Sequence, residues 1–349
     1  MLSKLRFFFL ILLFSSFAFT QTNVSGTYNS DTTWSQANSP YNVTNSILIN
    51  SGSTLTIEPG VVVNFLGDYK ILIKGNLLAD GNNSSLITFN GNSDEGSSQM
   101  LLFKSTNLSN SSISYTTFNG PQKSIQLAEE SESNQDSTKN SGNLIVTFSD
   151  FNNSSIYTKG YETTAELKFE NSTFDDLTIK GYYPRSEPIS FTTSTLTNVT
   201  IDSDAYNKGI KFYTSTVKNS TITMGCCGAN FLFENSTVYN SNVSAGMGSP
   251  VNGYFKIVKS KFIESKIILP SANVIAHKSI FKSPNLSENY ISIGTTDSIY
   301  NSLFYGFTNS KEIDAIKISG RAGYNIGGNT KIKKNTFSNN RKAIIVEGK

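Results

Sequence analysis

One spacing limits what this chain can become. Leu167 and Phe169 stand two residues apart, Phe174 follows five later, and Ile179 five later again. The same two-five-five step places Ile189, Phe191, Leu196 and Ile201, then Ile210, Phe212, Val217 and Ile222. It returns at Phe231, Phe233, Val238 and Val243, and at Phe255, Ile257, Phe262 and Ile267. On a straight strand, residues two apart share a face and residues five apart do not. All four reach one dry interior only if the chain turns in each five-residue gap. Polar pairs such as Asn171-Ser172 and Asp175-Asp176 fill those gaps, and their side chains can bond nearby backbone at a corner.

The same step repeats down the chain as a frame: apolar, two spacers, a small polar residue, one spacer, apolar. Phe169, Ser172 and Phe174 make one copy, and anchors fall at 113, 146, 169, 191, 212, 233, 257, 276, 299 and 332. Most steps are 19 to 24 residues, and two steps of 33 mark insertions. A fixed period of this kind signals stacked coils, each burying its apolar side against the next. Successive coils then pair as parallel strands ~4.8 Å apart. The small polar residues Ser172, Ser194, Ser215, Ser236, Ser260, Ser279 and Ser302 should stack in a ladder.

Composition agrees. With 349 residues, 37% hydrophobic and 16% charged, one compact core of this size would be unusual, whereas an array needs none. Net charge is +3, and +1 once Lys4 and Arg6 leave with a leader, so neither nucleic acid nor an anionic membrane is implied as partner. Residues 1–20 read as a secretory signal peptide: Lys4 and Arg6, the apolar run Phe7 to Phe14, and small residues near Ala18. No later segment could cross a bilayer, so a secreted or cell-surface location follows. Only Cys226 and Cys227 could form a disulfide. As neighbours between two glycines they read as a tight turn.

Residues 21–42, with Trp34, Tyr28 and Tyr41, precede the regular pattern and are assigned to an N-terminal cap over the first open layer. From 43 to 98, apolar residues alternate (Ile47 and Ile49, Leu55 and Ile57, Val61 to Phe65, Ile71 and Ile73), punctuated by Gly52, Pro59-Gly60, Gly67 and Gly75. Short alternating runs without helical periodicity make an all-β chain. The stretches SGSTLTIEPGVVVNF, ILIKGNLLADG and LITFNGN resemble the N-terminal coils of secreted right-handed parallel β-helix proteins of the pectin-lyase-like superfamily. IKKNTFSNNRKAIIVEG, at 332–348, is similar to one further coil. The resemblance implies a right-handed parallel β-helix over 43–349, with about 21–24 residues per coil. A spacing of five is also that of pentapeptide repeats with square coils. Here it breaks after two or three steps, which favours three sides.

Insertions are expected at 119–143, polar and net acidic, and at 305–331, which holds the Gly-rich SGRAGYNIGGN. KAIIVEGK stops in mid-coil with no evident C-terminal cap, so a partner at that end, or a longer chain, is expected.

The sequence names no reaction. Lyases and hydrolases of the resembling superfamily use clustered carboxylates with a positioned Arg, or a set of Asn-Thr-Asp, Asp-Asp, Gly-His-Gly and Arg-Ile-Lys segments. Of these only Asp175-Asp176 is present. A carboxylate pair can serve as glycosidase acid and base, so Asp175 and Asp176 are the catalytic candidates for a uronate-polysaccharide lyase or hydrolase. His277, the only histidine, follows inward Ala276 and should point outward. No motif implies a cofactor or metal. Tyr161, Tyr182, Tyr183 and Tyr206 follow the last apolar positions of neighbouring coils and could line one edge, where aromatic rings suit sugar faces. The resulting expectation is a non-catalytic β-helix scaffold, adhesive or structural, contacting an extracellular polysaccharide or surface glycan. Sequons at Asn153, Asn171, Asn198, Asn219, Asn235 and Asn242 coincide largely with the repeat frame.

Overall fold

A computed structural model describes residues 21–92, 99–104, 107–127, 140–160, 164–184, 189–203, 209–224, 230–245, 254–269, 273–283, 291–293, 297–307, 314–319, 324–326, 334–340 and 342–347. From Thr54 onward the described rungs contribute three strands each, and each strand pairs in parallel with the equivalent strand one rung away. Thr164–Glu170 pairs with Ile189–Thr192, Thr173–Asp175 with Thr195–Thr197, and Thr178–Pro184 with Thr200–Ser203. The first strands stack into a 13-stranded sheet. The second and third strands form two further faces, joined into one 26-stranded sheet because Tyr41–Ile49 pairs with both Val62–Phe65 and Ile71–Ile73. Three faces around one axis make a parallel β-helix, right-handed as parallel crossovers are. The fold the resemblance implies is the fold adopted, and a square coil is excluded by the three strands per rung.

The two-five-five residues are what the interior is made of. Leu167, Phe169, Phe174 and Ile179 are all buried, as are Ile210, Phe212, Val217 and Ile222. Rings stack rung on rung: Phe169, Phe191, Phe212 and Phe233 on the first face at 5.3, 5.3 and 4.5 Å. On the second face Phe89, Phe118, Phe151 and Phe174 stack at 5.1, 4.8 and 5.0 Å. The two columns meet edge to face, as at Phe169 and Phe174, the arrangement ring quadrupoles favour.

The corners explain the odd spacing. At the first corner one residue adopts a left-handed backbone: Asn171, Thr193, Thr214, Asn235, Lys259 or Lys278, with φ between 49° and 52°. At the second corner Asn153, Asp176, Asn198, Asn219, Asn240 and Glu264 do the same. That single reversal lets residues five apart face the same way. The serine after each first corner is buried, and the predicted ladder forms. The N–H of Ser172 donates to Ser194 Oγ at 3.2 Å, and that of Ser194 to Ser215 Oγ at 3.1 Å. Ser236 to Ser260 and Ser279 to Ser302 repeat it at 3.0 and 3.3 Å. A second ladder, which the frame did not single out, runs along the other corner through Ser220, Ser241 and Ser265.

Lys123–Leu127 is an array strand within the expected insertion at 119–143, and the array strand Ser141–Thr147 begins there. The first was hidden because Ser124 and Gln126 are buried there, which breaks the apolar pattern. Asp314–Ser319 and Tyr324–Ile326 likewise join the array inside 305–331. Residues 21–42 hold the first rung itself, since Thr22–Tyr28 and Thr32–Trp34 pair in parallel with the rung that follows. Trp34 is buried there, stacked on Tyr41 at 4.8 Å. Among the described residues no helix is long and apolar enough to cross a membrane. Residues 1–20, where a leader is expected, Cys226-Cys227 and SGRAGYNIGGN, apart from Ser319 and Tyr324–Ile326, lie outside the described residues.

Candidate functional site at the second corner

Where the second face turns into the third, three consecutive rungs leave a polar groove. Its floor is built by the frame: Ile156 and Ile179 point inward and are buried, so the next residues, Tyr157 and Lys180, face out by the period of two. Register places Tyr157 directly beside Lys180. Lys123 comes from the rung before, and its Nζ lies 4.6 Å from the Tyr157 ring centroid, while Lys180 Nζ lies 5.9 Å away. Two ammonium groups thus lie within cation–π range of one ring. The left-handed corner residues Asn153, Asp176 and Asn198 form the opposite lip. Tyr157, Lys180, Asp176, Asn153 and Asn198 therefore line one groove, with Lys123 beside the Tyr157 ring.

Asp175 and Asp176 occupy different places in the rung. Asp176 is the corner residue, with φ 53°, and its N–H donates to the Thr197 carbonyl at 3.2 Å. Asp175 ends the second-face strand and accepts a hydrogen bond from Asn198 Nδ2 at 3.0 Å. Only Asp176 lines the groove.

Of the four tyrosines, Tyr161 and Tyr206 lie outside the described residues. Tyr182 and Tyr183 belong to the strand Thr178–Pro184, where Tyr182 pairs in register with Lys159, but their side chains lie outside the description. The strand that carries Tyr182 is the one that carries Lys180. Tyr157, Lys123 and Lys180 are not among the candidates read from the sequence. Tyr157 and Lys180 could have been found by aligning rungs and reading the residue after each third-face isoleucine.

His277 projects outward from the first face, as its place after buried Ala276 requires. Its ring packs on Tyr300 with centroids 3.7 Å apart. Burial, and secondarily the charge of Lys256, hold its imidazole below the ordinary 6.5. Its Nε2 is buried without a hydrogen-bond partner among the described residues. The sequons mostly trace the corner grammar: Asn153, Asn171, Asn198, Asn219 and Asn235 are all left-handed corner residues.

No family model matches the chain, and no curated protein does. Among solved structures, the crystal structure of the periplasmic alginate epimerase AlgG is similar over 86% of this chain and 77% of that one, at 10% identity and a TM-score of 0.27. A likeness that distant gives no basis for transferring an activity.

Proposed function

We propose that this chain is an exported β-helical scaffold that binds an extracellular glycan without transforming it, with the second-corner groove as a contact site. The observation that carries the reading is Tyr157 held between Lys123 and Lys180 beside a row of corner amides. Sugar rings present apolar faces that stack on aromatic rings and hydroxyl edges that bond to amides and ammonium groups. A stacked array of thirteen first-face strands is stiff, which limits the ordering cost of binding. Tyr161, Tyr182, Tyr183 and Tyr206 remain proposed members of the same edge. A glycan array probed with the full chain and with Tyr157→Ala tests the idea. Retained signal in the wild type and loss in the variant are expected. No binding to any glycan rules the reading out.

A second reading rests on Asp176 lining the same groove as Tyr157 and Lys180. A carboxylate opposite a lysine and a tyrosine could serve proton transfer at a uronate polysaccharide, with Asp175 as its neighbour. Release of unsaturated or reducing ends from a uronate panel would support it. Activity that survives Asp175→Asn with Asp176→Asn would sink the assignment.

A further inference from the structure

The second face carries a column of polar side chains aligned from Asn42, itself buried, onward. Phe118 and Phe151 point inward and are buried, so Asn119 and Asn152, one residue on, point out. Register aligns Asn42, Asn64, Asn90, Asn119 and Asn152. Their amides form a one-way chain. Asn152 Nδ2 donates to Asn119 Oδ1 at 3.2 Å, Asn119 to Asn90 at 3.1 Å, and Asn90 to Asn64 at 3.0 Å. Asn64 donates to Asn42 at 3.1 Å, and Asn42 to Gln21 Oε1 at 3.2 Å. A second outward column, two residues back on each strand, is hydroxyl-rich: Thr88, Thr117, Thr173, Thr195, Thr216 and Thr237 share one register line, interrupted by Asp150. Thr173 Oγ1 donates to that Asp150 carboxylate.

Later rungs show that the fold does not demand asparagine in this column. Asp175, Thr197, Lys218 and Tyr239 succeed Asn152 in the same register. The ladder spends one donor and one acceptor of each amide, of the two N–H groups and two lone pairs it owns. The rungs of Asn64, Asn90, Asn119 and Asn152 thus present amides held by their neighbours, and those of Thr88 and Thr117 add a hydroxyl beside the amide, at a spacing of ~4.8 Å along the axis. Further along the column two exposed rings follow, Tyr239 and Tyr305, three rungs or ~14 Å apart. The charged members, Asp175, Lys218 and Lys282, have opposite signs, so the strip has no single-sign field.

We infer that this face is a track for an extended neutral polysaccharide lying along the axis, a β-1,4-linked ribbon whose sugar repeat is close to one rung. The inference rests on the glycan-binding reading and adds a separate surface with its own ligand class. Fixed amides and hydroxyls match sugar hydroxyls, and Tyr239 and Tyr305 supply stacking positions.

Affinity electrophoresis of the full chain tests it, in native gels holding hydroxyethylcellulose, soluble amylose or polygalacturonate. Retardation by hydroxyethylcellulose and weak response to coiled amylose are expected. Asn90→Leu with Asn119→Leu should weaken the first at least tenfold. Because that pair also breaks the ladder, Thr117→Val with Thr195→Val, and separately Tyr239→Ala, should each weaken it several-fold with an unchanged circular dichroism spectrum. The track is overturned if these last two variants are retarded like the wild type. It is also overturned if the wild type responds only to polygalacturonate and Tyr157→Ala abolishes that response, which would leave the groove standing. Indifference of the wild type to all three polymers overturns the track, and indifference to every glycan overturns the groove as well.

Discussion

The backbone N–H of Ser215 donates to the hydroxyl of Ser236, one rung further on, at 3.1 Å. Both serines are buried, and Ser236 Oγ in turn donates to the Glu234 carbonyl at 2.9 Å. The corner therefore has no water to fall back on. The role is chemical rather than specific to serine, because Asn335 Oδ1 accepts from the N–H of Ser302 at 3.0 Å at the far end of the column.

Replacing Ser236 by Ala removes that acceptor and leaves the Ser215 N–H orphaned. A buried unsatisfied donor costs about 1–3 kcal/mol. The variant should melt earlier, and native-state hydrogen exchange should show the Ser215 amide losing protection before its neighbours. Uniform protection in variant and wild type would show that the ladder does not hold the corner.

Much of this was legible beforehand. The spacing of Phe212, Val217 and Ile222 demanded a bend, and the bend is there at Thr214 and Asn219. Ser215 was visible as a frame position because its column is serine in rung after rung. The second-corner ladder was harder to see, since Leu177 and Val199 take the place that Ser220 and Ser241 fill later. Strand Lys123–Leu127 was missed for a related reason: Gln126 is buried, and an apolar filter discards it. The groove depends on which outward residues become neighbours, and register decides that. Tyr157 and Lys180 are 23 residues apart in sequence yet adjacent across the ladder. The asparagine column was present in the sequence as isolated polar residues, with no local pattern to join them.

Phe212 sits between Phe191 at 5.3 Å and Phe233 at 4.5 Å, fully buried. Truncating it to Ala should cost about 3–5 kcal/mol, transfer and cavity terms together. Each rung contacts chiefly its neighbours, so the loss should appear first as local opening of the rungs from Ile189 to Glu234 rather than global unfolding. Limited proteolysis with mapping of the earliest cuts would read this. First cuts scattered evenly along the chain would contradict it. Phe212→Asp places an unpaired charge in the same stack and should abolish the strand signature in far-ultraviolet spectra.

Thr193 and Thr214 hold left-handed φ values of 51° where equivalent corners use Asn171 and Asn235. A β-branched residue is poorly suited to that region, whereas Asn tolerates it. Thr214→Asn should therefore stabilise the chain by up to about 1 kcal/mol, seen as a higher Tm. Thr216→Asn, two residues on in the strand rather than the corner, is the control and should bring no such gain. If both raise Tm equally, corner strain is not the cause.

His277 ties stability to pH. Its Nε2 is buried without an acceptor among the described residues, its ring lies on Tyr300, and Lys256 is the nearby charge acting on it. Lys278 follows it at the corner. Burial, with Lys256 second, lowers its pKa in the fold, so the folded chain binds the proton less readily than the unfolded chain does. Where the unfolded state holds more protons, stability rises with pH. The contribution is thus fully present above the ordinary imidazole value of about 6.5 and is lost as pH falls below it, through the folded pKa. Carboxylates add their own losses at lower pH, so the informative quantity is a difference. Between about pH 7 and pH 5, Tm should fall further in the wild type than in His277→Phe, which keeps the ring contact with Tyr300 and removes the titration. Lys256→Met should shrink the wild-type fall without abolishing it, because desolvation is the larger cause. Parallel curves for wild type and His277→Phe would mean that the imidazole is solvated well enough to charge at no cost.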